Sequence, residues 1–332
     1  MTSADTPTQP TGERPPRILL IDTFRGIALI AMATYHFTWD LEFFGYVDPG
    51  TATQGFFRLY ARAIASSFLF LAGVSLVLAH GRGIRWHSFG KRLAIVAGAA
   101  IAISVATLFA FPQEWIYFGI LHNIALSSLI GLAFLRARLG IAFAIPILIV
   151  AGMIIDATVM PGILQSPLFD TRWLAWIGFS EFPPRSNDYV PLFPWLAALL
   201  TGIAVTRLSI ARGWTGRLAA IQRNDTILAK AGRNSLIVYL VHQPILIALV
   251  YLFSLISPAP APDPRLVYMN SCQPSCLRET GDAALCQRFC GCTADKLIGQ
   301  QLMTPLQSGA ISAQDNRIQI MAQECSISSE RP

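Results

Sequence analysis

One helix-length segment, residues 18–37, is apolar enough to cross a bilayer yet carries Asp22, Arg25 and His36. At about 100° per residue, these side chains and that of Asp40 fall within roughly an 80° arc of one helix face. Ionisable groups inside a membrane are costly, and they usually mark a functional site. We therefore expect this face to point into the protein and to take part in its function.

The composition is that of a membrane protein. Of the 332 residues, 53% are hydrophobic and 13% are charged, and the mean hydropathy is +0.50, whereas a soluble domain carries about 25% charged residues. The predicted fold class is all-α: a polytopic transmembrane helix bundle of about seven or more spans, with a small disulfide-stapled helical C-terminal tail. The predicted spans are residues 18–38, 60–80, 93–111, 117–135, 140–159, 190–206 and 235–256.

Membrane topology accounts for the formal net charge of +6. Lys and Arg concentrate in the loops around 80–92 and 207–233, and these loops alternate along the chain with more acidic ones. The positive-inside rule then predicts a multi-pass protein with its N-terminus in the cytoplasm and its C-terminus on the outer side of the membrane. The lipid bilayer is an expected partner, and nucleic acid is not.

Composition shifts predict four parts of the chain. Residues 1–16 are polar and rich in Pro and Thr, which is typical of a disordered cytoplasmic tail. Residues 17–256 form the transmembrane domain, 257–264 a Pro-rich linker, and 265–332 a cysteine-rich periplasmic tail. The aromatic loop at about 160–189 is either a lid at the membrane interface or part of an ordinary aromatic belt.

All six cysteines lie beyond the last predicted span, where an exported tail would meet an oxidising compartment. Cysteines four residues apart share one helix face, so two such pairs on antiparallel helices can form two disulfide rungs. The simplest pairing is Cys272 with Cys290, Cys276 with Cys286, and Cys292 with Cys325. A metal site is the alternative, but the tail contains no histidine, so no metal is expected. The tail is predicted to be structural or to bind a periplasmic protein.

His36 lies near the outer end of the first predicted span. An imidazole there can take a proton from an attacking amine or hydroxyl, or can itself accept an acyl group. Asp40 follows one helical turn later and can orient the ring. The alternative is a histidine that only bonds a neighbouring helix.

Other ionisable residues leave two interpretations open. Asp22 and Arg25 can pair at i,i+3, either to lock the bundle or to hold a phosphate group of a substrate. His122 is a second acid/base or acceptor-binding group, or else it makes an interhelical hydrogen bond. Arg58 and Arg62 bind an anionic or sugar substrate, or they pair with Asp40 or Asp188.

The last predicted span carries Tyr239 and His242 on one helix face. These side chains either line a channel for an acyl donor or pack against neighbouring helices. Pro244, which follows His242 closely, removes a helix hydrogen bond and permits a local kink.

Four motifs resemble the catalytic domain of the heparan-α-glucosaminide N-acetyltransferase family and its bacterial relatives. They are DTFRGIALI at 22–30, FGILH at 118–122, DYVPLFPW at 188–195 and NSLIVYLVHQP at 234–244. The spacing from Arg25 to His36 also resembles an arginine–histidine signature of the wider transmembrane acyltransferase superfamily. The resemblance covers about residues 17–250 and leaves out the cysteine tail.

The resemblance implies an enzyme of a bacterial inner membrane, with its C-terminus in the periplasm. Such an enzyme moves an acyl group, acetyl above all, from cytoplasmic acetyl-CoA to a periplasmic acceptor such as a glycan amine or hydroxyl. The predicted catalytic residues are His36, Asp40 and His122. Those predicted to bind the donor are Arg25, Asp22, Tyr239 and His242, and those predicted to bind the acceptor substrate are Arg58, Arg62, Asp188 and Trp195.

The sequence is also compatible with two other functions and with one further partner. A transporter or proton-coupled carrier also uses intramembrane His, Asp and Arg groups as relays. A non-catalytic membrane anchor would only present the cysteine-rich tail to a periplasmic protein. A second copy of the chain, in a homo-oligomer, is also considered as a partner.

Overall fold

The computed structural model describes residues 17–222, 224–260 and 263–329, and the predicted disordered segment 1–16 lies outside them. Within the described residues the secondary structure is helical, with one isolated β-bridge and no strand. The described residues form two compact units, one made of those up to Tyr35 together with those of Arg58–Ile245, and the other made of His36–Phe57 together with those from Leu246 onward. The all-α prediction is confirmed.

Nine helices precede the tail in the described residues. They are α1 (Leu19–Phe43), α2 (Gly55–His80), α3 (Trp86–Ala110), α4 (Ile120–Phe134), α5 (Leu139–Thr158), α6 (Leu192–Ala211), α7 (Trp214–Ile221), α8 (Ile227–Arg233) and α9 (Ser235–Ile256).

Five of these helices, namely α2, α3, α5, α6 and α9, are long and apolar enough to cross a membrane. The other two predicted spans, 18–38 and 117–135, correspond to α1 and α4. Helix α1 has 25 residues but carries several charged side chains, and α4 has only 15 residues, or about 22 Å of helix. The chain is a membrane protein whose α4 is too short to span a bilayer as a helix alone.

The face of α1 predicted from its ionisable residues is its buried face. Asp22 is 3% exposed and Asp40 is fully buried, whereas Phe24 and Ile30 on other faces are more than half exposed. Ionisable residues within a membrane protein almost always face the interior of the helix bundle in this way. The expectation that this face points into the protein is confirmed.

Close helix crossings in the first unit depend on glycine. A Cβ at Gly232 of α8 would overlap the carbonyl oxygen of Asp22, and one at Gly26 of α1 would overlap that of Leu228. Gly73 of α2 and Gly202 of α6 make a second crossing of the same kind. Small residues let the backbones approach closely, and in lipid, close packing is a principal source of helix association.

The tail of the second unit folds as α10 (Pro264–Thr280), α11 (Ala283–Gly299), α12 (Met303–Gln307) and α13 (Asn316–Ser329). Its disulfides join Cys272 to Cys290, Cys276 to Cys286, and Cys292 to Cys325. The predicted pairing is confirmed. A small apolar core that includes Leu297, Met303 and Met321 lies among the tail helices.

Candidate functional site

A cavity of about 790 Å³ lies within the first unit, beside the starts of α3 and α9. Along α3 its lining runs from His87 to Val96, a distance of about 13 Å. Its inner wall is largely apolar. That wall is formed by Phe68, Leu71, Ala72, Ile120, Leu121, Ile124 and Tyr239.

Basic side chains gather at the end of the cavity where α3 and α9 begin. Arg25, Lys91, Arg92 and Arg233 all line it, whereas no Asp or Glu does so among the described residues. The positive charge of Arg92 lies close enough to Arg25 to repel it. Such a cluster of like charges favours a bound anion, because the anion relieves the repulsion.

Acidic partners balance two of these four cations. Arg25 pairs with Asp22 at 2.7 Å, and Arg233 pairs with Asp225 at 2.5 Å. Lys91 and Arg92 make no ion pair with any residue that the structure describes. The cavity therefore keeps an excess of positive charge.

Arg25 is fixed in place on both sides. Its guanidinium donates hydrogen bonds to Asp22 and to the Ser75 hydroxyl of α2. Asp22 also accepts two hydrogen bonds from Arg17, at 2.5 and 3.1 Å. The predicted pairing of Asp22 with Arg25 is confirmed, and it holds one charge of the cavity in a defined position.

The segment that connects α3 to α4 turns back along α3. The Ser104 hydroxyl donates to the Ile116 carbonyl at 2.5 Å, and the Ile116 N–H donates to the Thr107 hydroxyl at 3.0 Å. Ser104 precedes the end of α3 by about 9 Å of helix. Helix α4 therefore begins well inside the bundle, which explains its short length.

The segment before α6 is joined to this returning segment. Phe118 and Tyr189 form a parallel β-bridge, in which the Val190 N–H donates to the Phe118 carbonyl at 3.2 Å. The fully buried Asn123 donates to the carbonyls of Val190 and Pro191 at 3.0 and 2.7 Å. Irregular backbone is tolerated at membrane depth only when its polar groups are bonded in this way.

Asp188 connects three of the motif segments. It accepts the Ile120 N–H at the start of α4 at 2.9 Å, and its carboxylate interacts electrostatically with Tyr239 of α9. A Cβ at Gly119 would overlap the Asp188 carboxylate. Burial raises the pKa of Asp188 to about 6, because a carboxylate that is shielded from water loses part of its hydration.

His122 uses both ring nitrogens in structural hydrogen bonds. Nδ1 accepts the Gly119 N–H at 3.2 Å, and Nε2 lies 3.2 Å from the Ser104 hydroxyl. Since that hydroxyl donates to Ile116, the network assigns the proton to Nε2 and makes the ring neutral. This geometry fits the interhelical hydrogen bond that was one of the two interpretations of His122.

The cavity brings together only part of the predicted site. Arg25 and Tyr239 line it, Asp22 forms an ion pair with Arg25, and Asp188 interacts electrostatically with Tyr239. The His242 side chain is not part of the lining, and its Nδ1 lies 2.6 Å from the Tyr239 carbonyl.

The remaining predicted residues lie elsewhere. Trp195 packs against the hydrophobic core of the first unit. Arg58 and Arg62 are exposed, and neither forms an ion pair within the described ranges. His36 and Asp40 belong to the second unit, where His36 is half-buried and Asp40 is buried.

The basic loops were predictable from the sequence, but the individual residues in them that line the cavity were not. Lys91, Arg92 and Arg233 belong to those loops, and only the fold separates them from the other basic residues there. Gly119 and Asn123 were missed as well. Both lie in or directly after the FGILH motif, so the motif itself was the signal that could have found them.

Comparison with known proteins gives one match. The catalytic-domain family described as "Heparan-alpha-glucosaminide N-acetyltransferase, catalytic" matches residues 17–244. No curated protein and no solved structure matches the chain. The match includes all four motif segments and the whole cavity lining, and it ends before the cysteine tail. On this match, the chain belongs to the heparan-alpha-glucosaminide N-acetyltransferase catalytic-domain family.

Proposed function

We propose that the protein is an enzyme that transfers an acetyl group from cytoplasmic acetyl-CoA to an acceptor across the membrane, such as a glycan amine or hydroxyl. Membership of a membrane acetyltransferase family supports the reaction class. The main observation that supports the proposal is the cavity, which has an apolar inner wall and is lined at one end by the basic residues Arg25, Lys91, Arg92 and Arg233.

The cavity suits an anionic donor with an uncharged reacting end. Coenzyme A carries its phosphates at one end and its thioester at the other. Lys91 and Arg92, which have no acidic partner in the described chain, would bind the phosphates together with Arg25 and Arg233. The apolar wall would hold the pantetheine arm. A volume of about 790 Å³ lies in the usual range of ligand pockets.

The proposed direction of transfer follows from charge and cysteine placement. The cavity lies at the end of the first unit where α3 and α9 begin, next to the basic loops that the positive-inside rule assigns to the cytoplasm. The tail carries three disulfides, which persist in oxidising compartments such as the periplasm. Both features support an inner-membrane protein with a periplasmic C-terminus.

In the reaction, the acceptor amine or hydroxyl attacks the thioester carbonyl, the C–S bond breaks, and the acceptor proton ends on the released thiol. His36 is proposed to take that proton or to carry the acetyl group transiently, with Asp40 orienting its ring. His122, Arg58, Arg62 and Trp195 remain candidates for the acceptor side, and His242 for the donor side.

Donor binding gives the most direct test. We expect purified protein in nanodiscs to bind radiolabelled CoA, and the double variant Lys91→Gln/Arg92→Gln to bind it at least about 10-fold more weakly, since each lost charge-assisted hydrogen bond costs about 1.5–3 kcal/mol. The matched control is Arg136→Gln/Arg138→Gln, whose exposed side chains lie outside the lining. Equal affinity of the wild type and the cavity variant would refute this donor site.

Turnover is tested separately. Protein supplied with radiolabelled acetyl-CoA should label amino sugars or other glycans and release free thiol only when an acceptor is present. His36→Ala should lose this labelling while it keeps the affinity for CoA. Equal labelling by both proteins would remove His36 from the mechanism.

A further inference from the structure

The chain that directly follows α5 presents apolar side chains outward. We call residues 159–169 the anchor segment. Four of its side chains are each more than half exposed, namely those of Val159, Met160, Ile163 and Leu168. The segment contains no charged residue. Exposed apolar patches of this kind mark surfaces that contact a partner protein or a membrane.

The polar side chains of the anchor segment are bonded within the protein. These are Gln165 and Ser166. The Gln165 amide donates to Oδ2 of Asp156 at 3.2 Å, and the Ser166 hydroxyl oxygen accepts the Leu168 N–H at 3.3 Å. Both side chains therefore have protein partners, which a polar group needs when it leaves water.

Backbone N–H groups of the anchor segment are bonded as well. Those that donate hydrogen bonds within the protein belong to Val159, Met160, Ile163, Leu164, Gln165, Ser166, Leu168 and Phe169. Pro161 and Pro167 have no N–H group. An unbonded backbone group costs several kcal/mol in lipid, so this pattern lowers the cost of moving the segment out of water.

Asp156, in the last turn of α5, holds the anchor segment in its folded position. This residue is only 4% exposed. Its Oδ1 accepts the Leu164 N–H at 2.8 Å, and its Oδ2 accepts the Gln165 amide. Within the described ranges, its carboxylate makes no ion pair with a Lys or Arg. The hydrogen bonds of this buried carboxylate thus turn the chain back toward the end of α5.

Helix α5 places the anchor segment at the boundary of the membrane. Its 20 residues make about 30 Å of helix, which matches the thickness of a hydrocarbon core. Ile147, Leu148 and Ile154 of α5 are also more than half exposed. The apolar surface of the anchor segment therefore continues the lipid-facing surface of α5. By the positive-inside rule, this end of α5 is the outer one.

The anchor segment is also joined to the connection that leads to α6. The Ser166 N–H donates to the Phe179 carbonyl at 3.0 Å. The Phe179 ring in turn stacks on the Phe193 ring, with their centroids 5.2 Å apart. The depth of the anchor segment in a membrane would therefore also fix the connection before α6.

We propose that the anchor segment lies in the boundary between headgroups and acyl chains of the outer leaflet, with lipid as its partner, and that Asp156 holds it there. Lipid is the occupant that fits, because the apolar surface continues that of α5 and carries no charge for a protein partner to pair with. The apolar side chains of such interfacial segments enter the boundary by about 5–10 Å. The inference does not depend on the proposed acetyl transfer.

Fluorescence quenching by lipid tests the location of the segment. All six native cysteines form disulfides, so one introduced cysteine can be labelled with a fluorophore in the full chain. In nanodiscs whose lipids carry a doxyl quencher near the carbonyl end of an acyl chain, labels at Ile163→Cys and Leu168→Cys should lose about half of their emission or more, since the segment enters by about 5–10 Å.

Two labelled positions serve as controls for this measurement. Arg185→Cys replaces an exposed, charged side chain of the same connection, and its label should keep its emission. Leu148→Cys lies halfway along α5, and its label should be quenched most by a doxyl group at the far end of the acyl chain. All the replaced side chains are exposed, so the labelled proteins should fold.

The part assigned to Asp156 has its own test. Asp156→Ala removes both acceptor oxygens, and the label at Ile163→Cys should then lose most of its quenching, because the freed Leu164 N–H is costly in lipid. The label at Leu148→Cys should stay quenched, which shows that the bundle is intact. The matched control is Thr158→Ala, which removes only the bond from the Thr158 hydroxyl to the Ile154 carbonyl and should leave the quenching unchanged.

The outcomes are distinct. If labels at Ile163→Cys and Leu168→Cys resist the quencher as fully as the label at Arg185→Cys, the proposal is overturned, whether water, a second copy of the chain or another protein covers the segment. If Asp156→Ala leaves the quenching at Ile163→Cys unchanged, the role of Asp156 is overturned.

Discussion

Asp188 and Ile120 are 68 positions apart in the chain, and the Asp188 carboxylate caps the start of α4 by accepting the Ile120 N–H at 2.9 Å. In this way one side chain anchors the segment before α6 to the returning segment before α4. Ile120 itself lines the cavity, so this contact also fixes part of the cavity wall.

The first prediction concerns the pH dependence of stability. Burial raises the pKa of Asp188 to about 6 in the folded protein, above the value of about 3.9 in an unfolded chain. Its contribution to the free energy of unfolding is therefore complete below about pH 4. That contribution is lost as the pH rises to about 6, where the free energy of unfolding falls by at most about 1.4 kcal/mol per pH unit. The free energy of unfolding, measured at pH 4, 5, 6 and 7, should decrease with this slope in the wild type and should lack this decrease in Asp188→Asn. Parallel pH curves for the two proteins would contradict it.

The second concerns the ion pair in α1. Asp22→Asn should leave the guanidinium of Arg25 without its counter-charge in a site that is only 20% exposed. Breaking a buried ion pair costs about 3–5 kcal/mol, so the melting temperature in detergent should fall by many degrees. Asp225→Asn breaks a pair with both side chains more than one-third exposed and should cost about 1 kcal/mol or less. Equal decreases in melting temperature for the two variants would show that the Asp22–Arg25 pair does not stabilise the fold more than the exposed pair does.

The third concerns the crossing of α1 and α8. Gly232→Ala places a methyl group against the Asp22 carbonyl, and this overpacking should destabilise the fold by about 1–3 kcal/mol or more. Gly216→Ala in α7 is the control, since a Cβ there meets nothing within 4 Å. That substitution should be neutral or slightly stabilising. Thermal unfolding measures both, and an unaffected Gly232→Ala protein would mean that the helices do not cross at this glycine.

The fourth concerns the tail. The disulfide between Cys292 and Cys325 closes a sequence separation of 33, whereas that between Cys276 and Cys286 closes one of 10. From chain entropy, replacing the first pair by serines should cost about 3.7 kcal/mol and replacing the second about 2.7 kcal/mol. Pulse proteolysis of the tail in the full chain, at increasing urea, can rank the variants. The reverse ranking would show that loop closure is not the main source of stabilisation.

Much of the fold was predictable because its determinants are local. The apolar segments set the helices that can span, and the ionisable residues of α1 marked its buried face. The cysteine spacing predicted two of the disulfides, Cys272 with Cys290 and Cys276 with Cys286, since residues four apart share a helix face and antiparallel helices align two such pairs in this order. Cys292 with Cys325 was the remaining pair.

The candidate site was only partly predictable, for a physical reason. Arg25, Asp22, Tyr239 and Asp188 were identified from motifs, yet their partners come from distant segments. Ser75 bonds Arg25 from α2, and the place of Arg92 beside Arg25 depends on how α3 packs. The spacing of residues along the chain does not predict contacts between such distant segments.

The sequence by itself determined a membrane protein built of helices, the buried side of α1 and the disulfides of the tail, because each depends on periodicity or composition within a short stretch. The tertiary structure decided that the connection before α4 turns back along α3, that Asp188 meets Ile120 and Tyr239, and that four basic residues line one cavity. Those relationships depend on close helix crossings at glycines and on hydrogen bonds between segments far apart in the chain, which arise only when the whole bundle packs.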